Sequence, residues 1–185
     1  NAWTVANTSV GGDVLASQWN LKPDNYNYVN GFGWNVTFHS NDNSQFYIAN
    51  SDSQSASPGT LTRTTLTSPS FSLVGYTSAS LSFYHFLRYT AFDTVLLEIS
   101  TNGGTSWSTL KQYMASYGVQ GTPVINLAND VVNMDAYAGL ANIKLRYNYT
   151  SPWGYLWAVD NVLVTGTLAT EMTWSPVTNL YTDAA

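Results

Sequence analysis

Asp160 is the residue in this chain most in need of a chemical partner. It stands in the run Trp157-Ala-Val-Asp-Asn-Val-Leu-Val-Thr-Gly166, where Trp157 and Val159 share one face of a strand and the large residues resume at Val162 and Val164. The apolar phase slips by one residue across Asp160-Asn161, which predicts a β-bulge that re-aims the carboxylate. A carboxylate among apolar neighbours needs donors or a cation, because a bare buried charge costs too much.

Aromatic rings offer a second chemistry. Tyr26, Tyr28, Phe32 and Trp34 crowd one segment rich in Asn and Gly, with Trp153 and Tyr155 as further candidates. Large apolar ring faces with polar handles, beside amide donors, form a platform for a sugar. We take Tyr26, Tyr28 and Trp34 as its expected ligand-binding residues. The plainer alternative is that these rings cover the open end of a β-sandwich.

Catalysis has little to stand on. Glu98 lies between Leu97 and Ile99 in a strand pattern, and Glu171 is near the end of the chain. A glycosidase needs two carboxylates facing one cleft, and no closely spaced acidic pair marks one. His85 sits on an apolar strand face, His39 has no partner at metal-ligand spacing, and no nucleophile-elbow motif occurs. With no cysteine, disulfides, thiolate metal sites and a cysteine nucleophile are excluded. The expectation is a non-enzymatic domain.

The elements that position these groups are strands. Leu81, Phe83, His85, Leu87 and Tyr89 share one face of an alternating run, Val95, Leu97 and Ile99 share another, and Ile143, Leu145, Tyr147 and Tyr149 a third. Thr101-Asn-Gly-Gly104 reads as a hairpin turn, since Asn-Gly takes positive φ readily. Shorter strands are expected at Trp3–Val5, Phe46–Ala49, Trp107–Leu110 and Val124–Leu127. Residues 10–35 read as a long irregular loop. No helical period is found, so the fold expected is all-β, a two-sheet antiparallel β-sandwich with jelly-roll topology.

Composition agrees and closes off partners. The 185 residues are 44% hydrophobic and 15% aromatic, but only 9% charged, far below the usual quarter. Six Lys and Arg against a net charge of −5 leave no basic stripe for nucleic acid. No apolar run approaches the length of a membrane span. A Lys-poor, Thr- and Asn-rich β protein points to a secreted or bacterial cell-surface location. The texture changes after Gly166. The expected division is therefore 1–166 as the sandwich, and 167–185 as a linker with the start of an immunoglobulin-like repeat or a docked terminal strand. The opening Asn1-Ala-Trp3 without an initiator Met reads as a segment of something longer.

Three blocks carry a resemblance: Leu66-Thr-Ser-Pro-Ser-Phe71, Leu97-Glu-Ile-Ser-Thr-Asn-Gly-Gly-Thr-Ser-Trp107 and Trp157-Ala-Val-Asp-Asn-Val162. Together they resemble the MAM-like jelly-roll domains of secreted Bacteroidetes surface proteins, including the cleaved-adhesin domains of gingipain-type proteases and modules of gliding-motility adhesins exported by type IX secretion. The resemblance implies a non-catalytic adhesin module that attaches to surfaces or glycans. It implies adjacent domains of the same long chain and secretion machinery as partners. A carbohydrate-binding accessory module of a secreted hydrolase is the alternative. It also implies a structural calcium, whose matching positions here are Asp52 and Asp160, against the alternative that Asp160 accepts backbone N–H groups at its bulge while Asp52 caps a turn. Arg63 and Asn102 stand where the family often has acidic residues.

Overall fold

The structure is a computed structural model that describes residues 3–30, 33–55, 59–118 and 123–170. The expected strand-to-immunoglobulin segment at 171–185 lies outside the described residues.

Two five-stranded antiparallel sheets form the sandwich. The first has the order β1 (Thr4–Asn7), β6 (Thr62–Thr67), β12 (Lys144–Ser151), β8 (Thr94–Ser100) and β9 (Ser108–Tyr113). The second has the order β11 (Ala128–Asn133), β7 (Tyr76–Arg88), β13 (Leu156–Leu168), β5 (Phe46–Asn50) and β2 (Asn20–Lys22). Between them lies the larger core, where Leu81, Phe83 and Leu87 of β7 and Trp157 of β13 meet Val95 and Leu97 of β8 and Tyr147 and Tyr149 of β12. Each such fully buried side chain is worth about 1.5–3 kcal/mol relative to exposure. The all-β jelly-roll sandwich expected from the sequence is the observed fold.

The long irregular loop expected at 10–35 is not what forms. That segment holds a single helical turn at Val14–Ser17, then β2, then β3 (Tyr26–Val29) and the first residue of β4 (Asn35–His39). A third, three-stranded sheet has the order β10 (Val124–Asn126), β4, β3, and its β10–β4 pair is parallel. This sheet covers the second face of sheet two. Tyr28, Val36, Phe38 and Ile125 pack there against Phe46, Ile48, Phe86, Leu156 and Ala158. β7, β5 and β13 are therefore buried on both faces along part of their length, and their sequences lose the clean alternation of a half-exposed strand. β11, which is not among the strands expected from the sequence, directs Asp130 and Val132 inward.

The β-bulge lies where the phase slip placed it. Asp160 pairs with Tyr84, but the next paired residue is Leu163, opposite Ser82. Asn161 takes φ 46° at the bulge, in the left-handed region that Asn tolerates better than most residues.

Candidate functional site

The bulge answers the need of Asp160 with donors. Its Oδ1 accepts from Asn161 N at 2.8 Å, and its Oδ2 lies 2.6 Å from Ser40 Oγ. That same hydroxyl is 2.8 Å from Asp42 Oδ1, so one hydroxyl hydrogen stands between two carboxylates. Burial first, and then the Asp42 and Asp24 charges, raise the Asp160 carboxyl above its ordinary range, against the opposing pull of Ser40 and Asn161.

Asp52 lies elsewhere. β5 runs antiparallel to β13, with Tyr47 opposite Val159 and Asn50 opposite Leu156. Asp160 is therefore at the Phe46 end of β5, and Asp52 is beyond its other end. Asp52 N donates to Tyr155 O, and the five steps from Tyr155 to Asp160 at roughly 3.3 Å each set the two residues about 15 Å apart. This register sets the two expected calcium positions, Asp52 and Asp160, at opposite ends of β5. Among the described residues, no three His, Asp or Glu side chains are grouped to hold a metal.

Asp52 instead braces the loop end of the domain. Its Oδ2 accepts from the Tyr28 hydroxyl at 2.8 Å and from Asn30 Nδ2 at 2.9 Å, and its N–H donates to Tyr155 O at 3.1 Å. Burial and then the Asp52 hydrogen bond push the Tyr28 phenol well up, so it stays a donor. Tyr28 is only 6% exposed. Tyr26 packs on Phe38, with Lys22 Nζ 4.7 Å from the centre of its ring. Trp34 meets Tyr28 and Tyr155 edge-on, at centroid distances of 5.7 and 6.0 Å. Of the expected trio, Tyr28 is buried, while Tyr26 and Trp34 are half-buried.

Exposed rings stand next to them. The turn between β7 and β8 is closed by Thr90 N donating to Asp93 Oδ2 at 2.7 Å and Asp93 N donating to Thr90 O at 3.0 Å. This presents Phe92 at its tip, 80% exposed. The turn between β12 and β13 presents Trp153, 55% exposed and held at φ 70°. Such a dihedral is a real outlier for a bulky residue, and strain of this kind gathers at ligand sites. Phe92, Pro152, Trp153, Gly154 and Tyr155, with Asn30, Asp52 and Thr90, line a cleft of about 530 Å³. Tyr155 is fixed from behind by Arg88, whose guanidinium carbon lies 3.7 Å from its ring centroid and 4.6 Å from that of Trp34. Another groove, of about 340 Å³, is lined mainly by Trp3, Phe71, Leu73, Tyr76, Val162 and Val164, and its lining includes no ionisable carboxylate, Lys, Arg or His.

The cleft combines two exposed aromatic faces with an amide, a hydroxyl and a carboxylate. Its size is that of small-molecule sites. Trp153 and Tyr155 were legible in the sequence as additional rings. Phe92 was not, because a lone aromatic in a turn has no periodicity to mark it.

No protein-family model matches the chain, and no curated protein matches it. Among solved structures it is similar to a cleaved adhesin domain of Lys-gingipain from Porphyromonas gingivalis, with TM-score 0.56 and 11% identity over 90% of this chain and 91% of that one. It is also similar to TmCBM61 in complex with β-1,4-galactotriose (TM-score 0.49, 10% identity, 89% and 88% of the two chains). A family 11 carbohydrate-binding module from Clostridium thermocellum, in complex with a β-1,3-1,4-mixed-linked tetrasaccharide, gives TM-score 0.40 at 10% identity over 91% of each chain. At these identities the adhesin likeness speaks for a shared fold alone, and the two lower scores carry no argument.

Proposed function

We propose that this domain is a non-catalytic saccharide-binding module of a secreted or cell-surface adhesin, with its ligand seated between Phe92 and Trp153. The observation that carries the reading is the pairing of two exposed rings across a cleft that also presents Asn30, Asp52 and Thr90. Sugars offer apolar C–H faces to rings and a rim of hydroxyls to polar groups, and this lining meets both. The loops belong to a rigid scaffold of two packed sheets, the usual arrangement for recognition. One carboxylate lines the cleft, and it is already engaged by Tyr28 and Asn30, which supports binding over hydrolysis. Glu98 is far from this role, paired with Arg146 Nε at 2.8 Å.

An adhesin context fits the resemblance of the sequence blocks and the fold shared with an adhesin domain. Type IX export, gliding motility and neighbouring domains of one long chain are the finer parts of that reading. A glycan array probed with the wild-type domain and with the Phe92→Ala/Trp153→Ala double variant tests it. Binding of a saccharide class by the wild type, lost in the double variant, is the expected result. Equal signals from both proteins would remove the cleft from the account.

A further inference from the structure

The cleft lies at the end of the sandwich where three connections cross from one large sheet to the other, side by side. In sheet one, Val95 of β8 is flanked by Tyr149 of β12 and Tyr113 of β9. In sheet two, Leu87 of β7 is flanked by Trp157 of β13 and by Tyr117, with which it exchanges two backbone N–H···O bonds of 2.9 Å. The chain joins these two rows from Tyr149 to Trp157, from Leu87 to Val95 and from Tyr113 to Tyr117. The register of the rows therefore fixes the order of the crossings. Ser116 Oγ, accepting from Tyr89 N at 3.0 Å, ties the second crossing to the third.

Each crossing carries one large exposed apolar side chain: Trp153 at 55%, Phe92 at 80% and Met114 at 71%. Neighbouring strands lie about 4.8 Å apart, so the crossings repeat at that spacing and the row spans about 10 Å. Trp153 and Phe92 line the cleft, and Met114 belongs to the next crossing beyond Phe92, outside that lining. Three such side chains on adjacent connections differ from the single apolar residues scattered over an ordinary surface. The charged side chains within these connections are Arg88 and Asp93. Arg88 lies over Trp34 and Tyr155, and Asp93 is 7% exposed. The other polar side chains there are hydroxyls, among them Thr90, Thr94, Ser116 and Thr150.

We propose that Trp153, Phe92 and Met114 form a track for a neutral glycan chain bound along its length, with Met114 as its outermost subsite. The proposal rests on the saccharide-binding reading and extends it from where the ligand sits to which ligand it is. The strand spacing is close to the advance per unit of an extended pyranose chain, so successive sugars meet successive side chains. The rings and the Met114 thioether take C–H faces, and the flexible, polarizable methionine adapts to the last unit. The hydroxyls between them suit the rim of a sugar. Asp52 in the cleft and the net charge of −5 disfavour uronate or sulfated chains. A chain held across three crossings is recognised by its interior rather than by its terminal unit.

The test is isothermal titration of the domain with gluco-, manno- and galacto-oligosaccharides, each from disaccharide to hexasaccharide, and with an oligogalacturonate series of the same lengths. The wild type should bind a neutral series, with affinity rising about tenfold from disaccharide to tetrasaccharide and then levelling. Met114→Ala should cut that gain about fivefold. Met114→Leu keeps an apolar contact and should retain most of it. Because Met114 is exposed, these variants should fold as the wild type does. The uronates should bind about tenfold more weakly than the neutral chains. A wild type that holds a disaccharide as tightly as a hexasaccharide, or a Met114→Ala variant with the full gain, overturns the track and leaves the cleft standing. Uronates bound as tightly as neutral chains overturn the neutral class. A wild type that binds no saccharide of any length sinks the cleft, and the track with it.

Discussion

Trp157 Nε1 donates to His85 Nδ1 at 3.1 Å, between two side chains with no exposed surface. This fixes the tautomer. Nδ1 is the acceptor, so Nε2 carries the proton, and it faces Asp130 Oδ2 at 3.7 Å. Asp130 is held in turn by Tyr113 OH at 2.6 Å and Lys111 Nζ at 2.6 Å. Tyr117 stacks over the imidazole with ring centroids 4.1 Å apart. A neutral histidine with no exposed surface is therefore wired between a tryptophan and a carboxylate.

Acid should act on this wire first. Burial lowers His85 below its ordinary 6.5, against the pull of Asp130. A base with a depressed folded pKa contributes stability that is whole above the unfolded value and is lost as pH falls from about 6.5 toward the folded one. A second proton on Nδ1 would also point at the Trp157 N–H. For Asp130, burial alone would raise the carboxyl, but contacts with His85, Lys111 and Tyr113 hold it well below 3.8. Its contribution is present above the unfolded value and fades below about pH 4. Urea unfolding between pH 8 and 4 should show stability falling below pH 6.5 at up to about 1.4 kcal/mol per pH unit. His85→Phe should flatten the slope between pH 6.5 and 5. A slope unchanged in that variant would assign the titration to another group.

Asp160→Asn should stabilise the domain at pH 7. The folded carboxyl is raised, so the wild type is most stable when it is protonated and loses stability as pH rises through the folded value. Asn presents an N–H to Ser40 Oγ in place of that proton. The gain should vanish as pH falls below the ordinary 3.8 of a carboxyl, where the wild type is protonated whether folded or not. Chemical denaturation at pH 7 and pH 3.5 measures it. A variant less stable at pH 7 would mean that Asp160 is ionised and paired.

Arg88→Ala should weaken saccharide binding several-fold while changing stability by about 1 kcal/mol, the scale of cation–π contacts. Arg88 stands between Trp34 and Tyr155 and is not among the residues lining the cleft. Its effect on ligand must pass through the position of Tyr155. Isothermal titration with Arg88→Ala and Arg88→Lys checks it, with Lys expected to restore part of the affinity. Undiminished affinity in the alanine variant would free Tyr155 from this support.

The parts of this domain that were legible in sequence are those where one strand face is wet. Leu81, Phe83, His85 and Leu87 alternate with smaller or polar residues at Ser82 and Tyr84, and all four are buried as that pattern implies. The phase slip at Asp160 was legible because one residue inserted in a period of two moves every later side chain. The third sheet was hidden. β3 is only four residues long, and what holds it is Tyr28 packing on a face of sheet two that alternation assigns to solvent. Phe86 shows the same thing from the other side, buried at 1% on the supposedly outer face. The site was half legible for a related reason. Aromatic crowding at 26–34 marked the right end of the molecule, but exposure, which separates Trp153 and Phe92 from Tyr28, is set by packing partners distant in sequence.

The saccharide cleft is tested most directly by titrating the best glycan from an array into wild type and Trp153→Ala, with melting temperatures measured alongside. Trp153 is exposed and its backbone strain does not favour the ring, so its loss should leave the fold intact. The account predicts at least a tenfold loss of affinity, the removal of about 1–3 kcal/mol of ring contact, with an unchanged or slightly raised melting temperature. A Trp153→Ala variant that binds as tightly as the wild type would contradict it.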